Sequence, residues 1–280
     1  MICFNPQGIQ LKNFKHINLH ACDSITELPN LCTPNLETLD LTSCCNLVTV
    51  HESIGFLESL QEWNLLGCRS LQNLPNNLRL KSLKEFVLTS CSKLEKFPNL
   101  HPEMKRLKKL YLSDTGIREL PSSIGYLTQL TELCLFNCRN LRDLPDSIYK
   151  LQMLEDLIID IAKLRPLCNS FDGLSEYGFS SLWQLNVSGY CGIELEFLMK
   201  PNHFPVLEYL DLSGTDIVSI PESLHRFTTL KSLCIDYCKQ LRQIVRLPQF
   251  IKRVEARNCP SLDASRLLNQ VSLFQVIIKK

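Results

Sequence analysis

LQEWNLLGCRSLQNLP, residues 60–75, places apolar side chains at Leu60, Trp63 and Leu65, a thiol at Cys68, and a Leu71, Leu74, Pro75 ending. The same spacing returns as Leu83, Phe86, Leu88, Cys91, Leu94, Phe97 and Pro98. It returns again as Leu130, Leu133, Leu135, Cys138, Leu141, Leu144 and Pro145. The shared form is LxxLxLxxCxxLxxLP. Its second apolar position can be followed through Ile17, Leu39, Trp63, Phe86, Leu110, Leu133, Leu157, Leu185, Leu210, Leu233 and Val254, in steps of 21–28 residues. Self-similarity at such a period marks a solenoid, because one repeat cannot bury its apolar face alone and stacking buries a continuous core.

Each LxL alternates with period two and predicts a short strand, its leucines turned inward and the residue between them facing solvent. Stacked repeats join these strands into a parallel sheet. Pro29, Pro75, Pro98, Pro121, Pro145, Pro221 and Pro248 end the LxxLP segments, where a fixed φ turns the chain toward the opposite side. The stretches Ser123–Leu127, Ser147–Leu151 and Ser223–Phe227 predict single helical or 3-10 turns there. The expected class is therefore α/β: a leucine-rich-repeat solenoid, or horseshoe, of about 11 repeats. It has a parallel concave sheet and a convex side of short helices, 3-10 turns and loops.

Residues 11–262 make up this array, with an irregular insertion near 161–181 that lengthens one step. Residues 1–10 read as a lead-in at a truncated edge, and 263–280 as a tail or the start of a missing domain. Neither end looks like a polar capping unit, so the chain is expected to be part of something larger.

Fourteen cysteines invite a disulfide reading, but 280 residues suffice for a core without staples. Cys22, Cys44, Cys68, Cys91, Cys138, Cys238 and Cys259 share one turn position, where Thr115 and Thr215 substitute. A small donor suits a turn whose backbone carbonyls face inward. Threonine as the replacement points to hydrogen bonding, not to a disulfide. Cys134/Cys138 and Cys234/Cys238 have C-x3-C spacing, but each pair straddles an exposed and a buried position, and no metal is expected.

The net charge of +1, from 30 basic and 29 acidic side chains, gives no electrostatic reason to expect nucleic acid. No basic-then-apolar leader opens the sequence, and no run of 18 apolar residues would span a bilayer. A phosphate loop, HExxH, GxSxG and kinase signatures are all missing, and the six histidines are scattered. Neither enzymatic activity nor a cofactor is expected, and no catalytic residue is assigned.

Recognition of a protein partner fits better. The solvent-facing residue between the two strand leucines is polar in most repeats but runs Val87, Tyr111, Cys134, Ile158 in the middle. Leu66 and Phe136, two positions further along their strands, add to that stretch. Apolar and aromatic side chains at solvent-facing positions mark an interface, with Tyr111 and Phe136 as its expected anchors.

The runs LKNFKHINL (11–19), PNLETL (34–39), CCNLV (44–48), HESIG (51–55), LPSSIG (120–125) and LPDSI (144–148) resemble a known family. They are similar to the repeat region of plant intracellular immune receptors of the Toll/interleukin-1-receptor, nucleotide-binding, leucine-rich-repeat class. The resemblance implies a module of the defence response that senses a pathogen effector or a guarded host protein, and that helps hold the receptor inactive. It implies a cytoplasmic or nucleo-cytoplasmic location, and other domains of the parent receptor as further partners. The class also carries an ADP/ATP-binding domain and an NAD-cleaving Toll-type domain, and no residue here matches either. An intracellular scaffold or adaptor without an immune role is the alternative. The LxGxIP turns of extracellular receptors and the CxxITD turns of ubiquitin-ligase receptors are both missing.

Overall fold

The computed structural model describes residues 13–142, 144–160, 178–188, 201–263, 265 and 275–277. Most of the 161–181 insertion and the 1–10 lead-in therefore lie outside the described residues. The chain divides into two compact units, Met1–Leu151 and Gln152–Lys280, each a stack of leucine-rich repeats.

In the first unit the strands His16–Asn18, Thr38–Asp40, Glu62–Asn64, Glu85–Val87, Lys109–Tyr111 and Glu132–Leu135 pair in parallel. The register is the one the repeat predicts: Ile17, Leu39, Trp63, Phe86, Leu110 and Leu133 stand side by side. In the second unit Leu157, Leu185, Leu210, Leu233 and Val254 do the same. Val276 stands next to Val254, so Gln275–Ile277 adds a strand inside the 263–280 stretch.

The inward leucines are sealed. Leu39, Trp63, Phe86, Leu110 and Leu133 are all buried, and the Trp63 and Phe86 rings stack at 4.8 Å and 13°. Stacking of this kind adds to the burial of two large apolar surfaces. A second aromatic row, Phe179, Phe204 and Phe227, runs through the other unit at centroid spacings of 6.1 and 6.4 Å.

Among the described residues, the backbone turns through one left-handed residue past nine of the strands. In the first unit these are Ala21, Ser43, Gly67, Ser90, Asp114 and Asn137; in the second, Gly214, Tyr237 and Asn258. Their φ angles lie between +54° and +75°. Parallel pairing continues into this turn, as Ser43 N donates to Leu66 O and Gly67 N to Thr89 O. The next residue then donates its N–H back to the strand leucine, Cys44 to Leu41 and Cys68 to Leu65.

Six of the seven turn cysteines have the expected hydrogen-bonding role. Cys44, Cys68, Cys91 and Cys138 donate their thiols to Leu19, Leu41, Leu65 and Leu112 O at 3.1–3.2 Å. Cys238 and Cys259 donate likewise to Leu212 and Ile235 O. Each acceptor belongs to the preceding repeat. Thr115 and Thr215 instead cap a carbonyl of their own repeat, Leu112 and Leu212 O, at 2.8 and 2.7 Å.

Where Thr115 replaces cysteine the turn is one residue shorter, and Ile117 reaches the buried position. Gly116 makes the short cut feasible: a Cβ there would lie 2.5 Å from Ser92 O and 3.1 Å from Leu94 O. Both obstacles are backbone and cannot swing away. Gly116→Ala is expected to lower stability by about 1–3 kcal/mol, as overpacking does. An unchanged urea midpoint would show that the neighbouring repeat yields freely.

On the far side, 3-10 turns occupy Glu52–Phe56, Ser122–Tyr126, Asp146–Lys150 and Glu222–Arg226. Pro121, Pro145 and Pro221 stand directly before the last three, with φ near −70°. Ile54, Ile124, Ile148 and Leu224 return to the core from these turns.

Candidate functional site

The solvent face of the first unit's sheet carries five of the six residues singled out above. Val87, Tyr111 and Cys134 are consecutive partners in register and half-buried. Leu66 and Phe136 sit one row further along, 39% and 45% exposed. They are not neighbours. Thr89 and Ser113 stand between them, so at a strand spacing of about 4.8 Å the two are roughly 14 Å apart. Ile158 belongs to the second unit, where it pairs with Asn186 and is half-buried.

Tyr111 is tied down. Its hydroxyl donates to Glu132 on the next strand, and Glu132 also pairs with Lys109 at 3.0 Å. Burial and the bond to Glu132 push the phenol well above its ordinary pKa, so it stays protonated. Burial would raise the Glu132 carboxyl, but the bonds from Tyr111 and Lys109 outweigh it and hold the group below the usual range. The ring is thereby a fixed platform. Cys134 faces Ser113 Oγ at 2.9 Å.

The polar members of the same column do something that sequence reasoning missed. Asn18, Asp40 and Asn64 each accept, through a side-chain oxygen, the N–H two residues ahead: His20, Thr42 and Leu66, all at 2.9 Å. Asp211 does the same for Ser213 at 2.8 Å in the second unit. These are Asx turns that steer the strand into its left-handed corner. The signal was present, since Asn and Asp favour such turns. Val87 and Cys134 have no oxygen to offer there, and Tyr111 sends its own to Glu132. The middle of the column thus lacks the Asx bond that Asn18, Asp40, Asn64 and Asp211 make.

Among the described residues one group has metal-ligand character: Cys234, Asp236 and Glu255, whose donor atoms lie within 4.8 Å of one another. Arg257 already bridges it, at 3.1 Å from Asp236 and 2.7 Å from Glu255. That guanidinium supplies the positive charge a cation would bring. The C-x3-C pairs split as expected, with Cys138 and Cys238 buried and Cys134 and Cys234 half-exposed on the face.

Comparison with known proteins adds an independent line. A family model described as "Disease resistance protein RPS4B-like, leucine-rich repeats" matches residues 79–265. TMV resistance protein N of Nicotiana glutinosa is 30% identical, over 85% of this chain and 25% of that protein. Disease resistance protein RPS4B of Arabidopsis thaliana is 31% identical, over 82% of this chain and 18% of its own length. RPP5 of the same plant is 34% identical, over 85% and 16%. The chain thus spans a quarter or less of these relatives. Among solved structures, the functional domain of InlJ from Listeria monocytogenes aligns with a TM-score of 0.41 at 17% identity, covering 97% of this chain and 64% of that one.

Proposed function

The chain belongs to the leucine-rich-repeat family of RPS4B-like disease resistance proteins, and from that premise we propose that it is the recognition module of an intracellular plant immune receptor. It contacts a protein, either a pathogen effector or a guarded host protein, and helps hold the receptor inactive until that contact is made. Residues 11–262 serve as the recognition array in this reading, and the chain does no chemistry of its own. The cytoplasm is its place of work, and no helix among the described residues is long and apolar enough to cross a membrane.

One observation carries the reading. At Val87, Tyr111 and Cys134 apolar or aromatic side chains occupy positions where other repeats spend an Asn or Asp on the turn. Exposed Leu66 and Phe136 flank the column. Aromatic anchors with an ordered ring dominate protein interfaces.

The test is a binding screen of purified candidate effector and host proteins, followed by titration of the double variant Tyr111→Glu, Phe136→Glu. Charges placed at two anchors should weaken binding at least a hundredfold, roughly 2.7 kcal/mol. Equal affinity of the still-folded double variant for every partner found would end this reading.

A further inference from the structure

Each repeat whose corner after the strand is described asks one residue there for a left-handed backbone. Eight of the nine described residues there are small or short and polar: Ala21, Ser43, Gly67, Ser90, Asp114, Asn137, Gly214 and Asn258. The ninth is Tyr237, with φ +61°. Glycine, asparagine and aspartate visit this region readily, whereas a bulky L-residue crowds its Cβ against the backbone. The corner needs only an N–H, which Tyr237 donates to Arg257 O at 2.8 Å and any residue except proline would supply.

The fold recovers little from the ring. Tyr237 is 57% exposed, and its hydroxyl makes no hydrogen bond among the described residues. The equivalent corner one repeat earlier is Gly214, where a Cβ would meet nothing within 4 Å, so a bare shelf lies beside the ring. The carboxylates and arginines nearby are satisfied within the unit, while Lys239 is exposed. Arg257 holds Asp236 and Glu255, Arg253 holds Glu255, and Asp211 bonds Asn186 and the Ser213 N–H. Beside the Lys239 ammonium, the ring is what this corner has left to offer.

Backbone strain that the surrounding fold does not need collects at functional positions. We infer that Tyr237 is a partner-contact residue of the second unit, an aromatic knob received by an apolar cleft on the protein partner. The inference rests on the recognition reading above. A tyrosine suits the task, since it presents a large rigid area at small cost in side-chain entropy. Because the carboxylates nearby are already paired, the contact draws chiefly on ring burial.

Two substitutions test it, with the purified partner that the screen yields as the probe. Tyr237→Asn installs the residue found at Asn137 and Asn258. It should raise the melting temperature by about 2–4 °C, the shift that release of such strain gives in a chain of this size, while weakening partner binding at least tenfold. Tyr237→Phe should leave affinity within threefold. A fall in melting temperature for Tyr237→Asn would show that the ring serves the fold, and overturns the inference. A rise with unchanged affinity also overturns it. In that case loss of binding in the Tyr111/Phe136 double variant leaves the broader reading standing. If no candidate protein binds, or if no variant alters binding, both fall together.

Discussion

Trp63→Ala should destabilise the first unit by about 3–5 kcal/mol, as removal of a fully buried indole does. Trp63 is completely buried, paired in register between Leu39 and Phe86, and stacked on the Phe86 ring. Truncation removes that stack and leaves a cavity whose walls are strands fixed by their ladders, so little of it can collapse. An opposing effect needs weighing. The indole N–H is buried and meets no acceptor, a defect worth about 1–3 kcal/mol. Loss of the indole relieves that defect, yet the burial and cavity contributions are larger and Ala still loses. Trp63→Phe separates the two, because it keeps an aromatic ring and deletes the orphan donor. It should fall within about 1 kcal/mol of the native chain. Urea midpoints of the two variants decide the matter, and an Ala variant as stable as the Phe variant would mean that this core is loosely packed.

The second large effect is a loss of stability in alkali. Burial raises the thiols of Cys44, Cys68, Cys91, Cys138, Cys238 and Cys259, and Cys68 is pushed up to about 12. In the unfolded chain a thiol ionises near its ordinary value of 9.0. The folded state therefore binds the proton more tightly. The associated stability is fully present below pH 9 and is lost as the pH climbs from 9 toward 12. Within that window each thiol that remains protonated only in the fold costs up to about 1.4 kcal/mol per pH unit. Melting temperature should stay level from pH 6 to 8.5 and then drop steeply. Tyr209, also pushed up to about 12 by burial and the nearby Asp211, contributes in the same window. A difference measurement isolates the thiols: the double variant Cys68→Thr, Cys91→Thr should fall less steeply. The array itself uses threonine at two such corners. Parallel curves for native chain and variant would refute the account.

The period, register and thiol ladder could be read from the sequence because each depends on a residue type recurring at fixed spacing. Trp63 beside Phe86 follows from counting alone. The left-handed corner was invisible, since the backbone demand there is met by alanine, serine, aspartate, asparagine, glycine and tyrosine, and no single residue type recurs to mark it. Gln275–Ile277 escaped although Leu273, Val276 and Ile278 keep the LxxLxL spacing, because no LxxLP ending precedes it to mark a repeat. At the candidate site, exposure of Leu66 and Phe136 was legible from strand alternation. Their separation by Thr89 and Ser113 followed from the same columns, but a count of apolar residues hid it. The Tyr111 tie to Glu132 could not be foreseen, because it runs diagonally: Tyr111 pairs in register with Cys134, and Glu132 with Lys109.

The thiol ladder bears on how such genes change length. Cys44, Cys68, Cys91, Cys138, Cys238 and Cys259 each bond a carbonyl in the repeat before, not a partner at the far end of the array. The junctions that carry a turn cysteine are therefore chemically alike, whereas Thr115 and Thr215 close their turns within their own repeats. Unequal crossing-over that duplicates or deletes one whole repeat between cysteine turns recreates a junction already in use, with a donor and an acceptor both in place. Such an exchange alters which side chains the sheet displays while leaving the closure of each corner untouched, so a lineage can reshuffle its display by recombination without first repairing the scaffold.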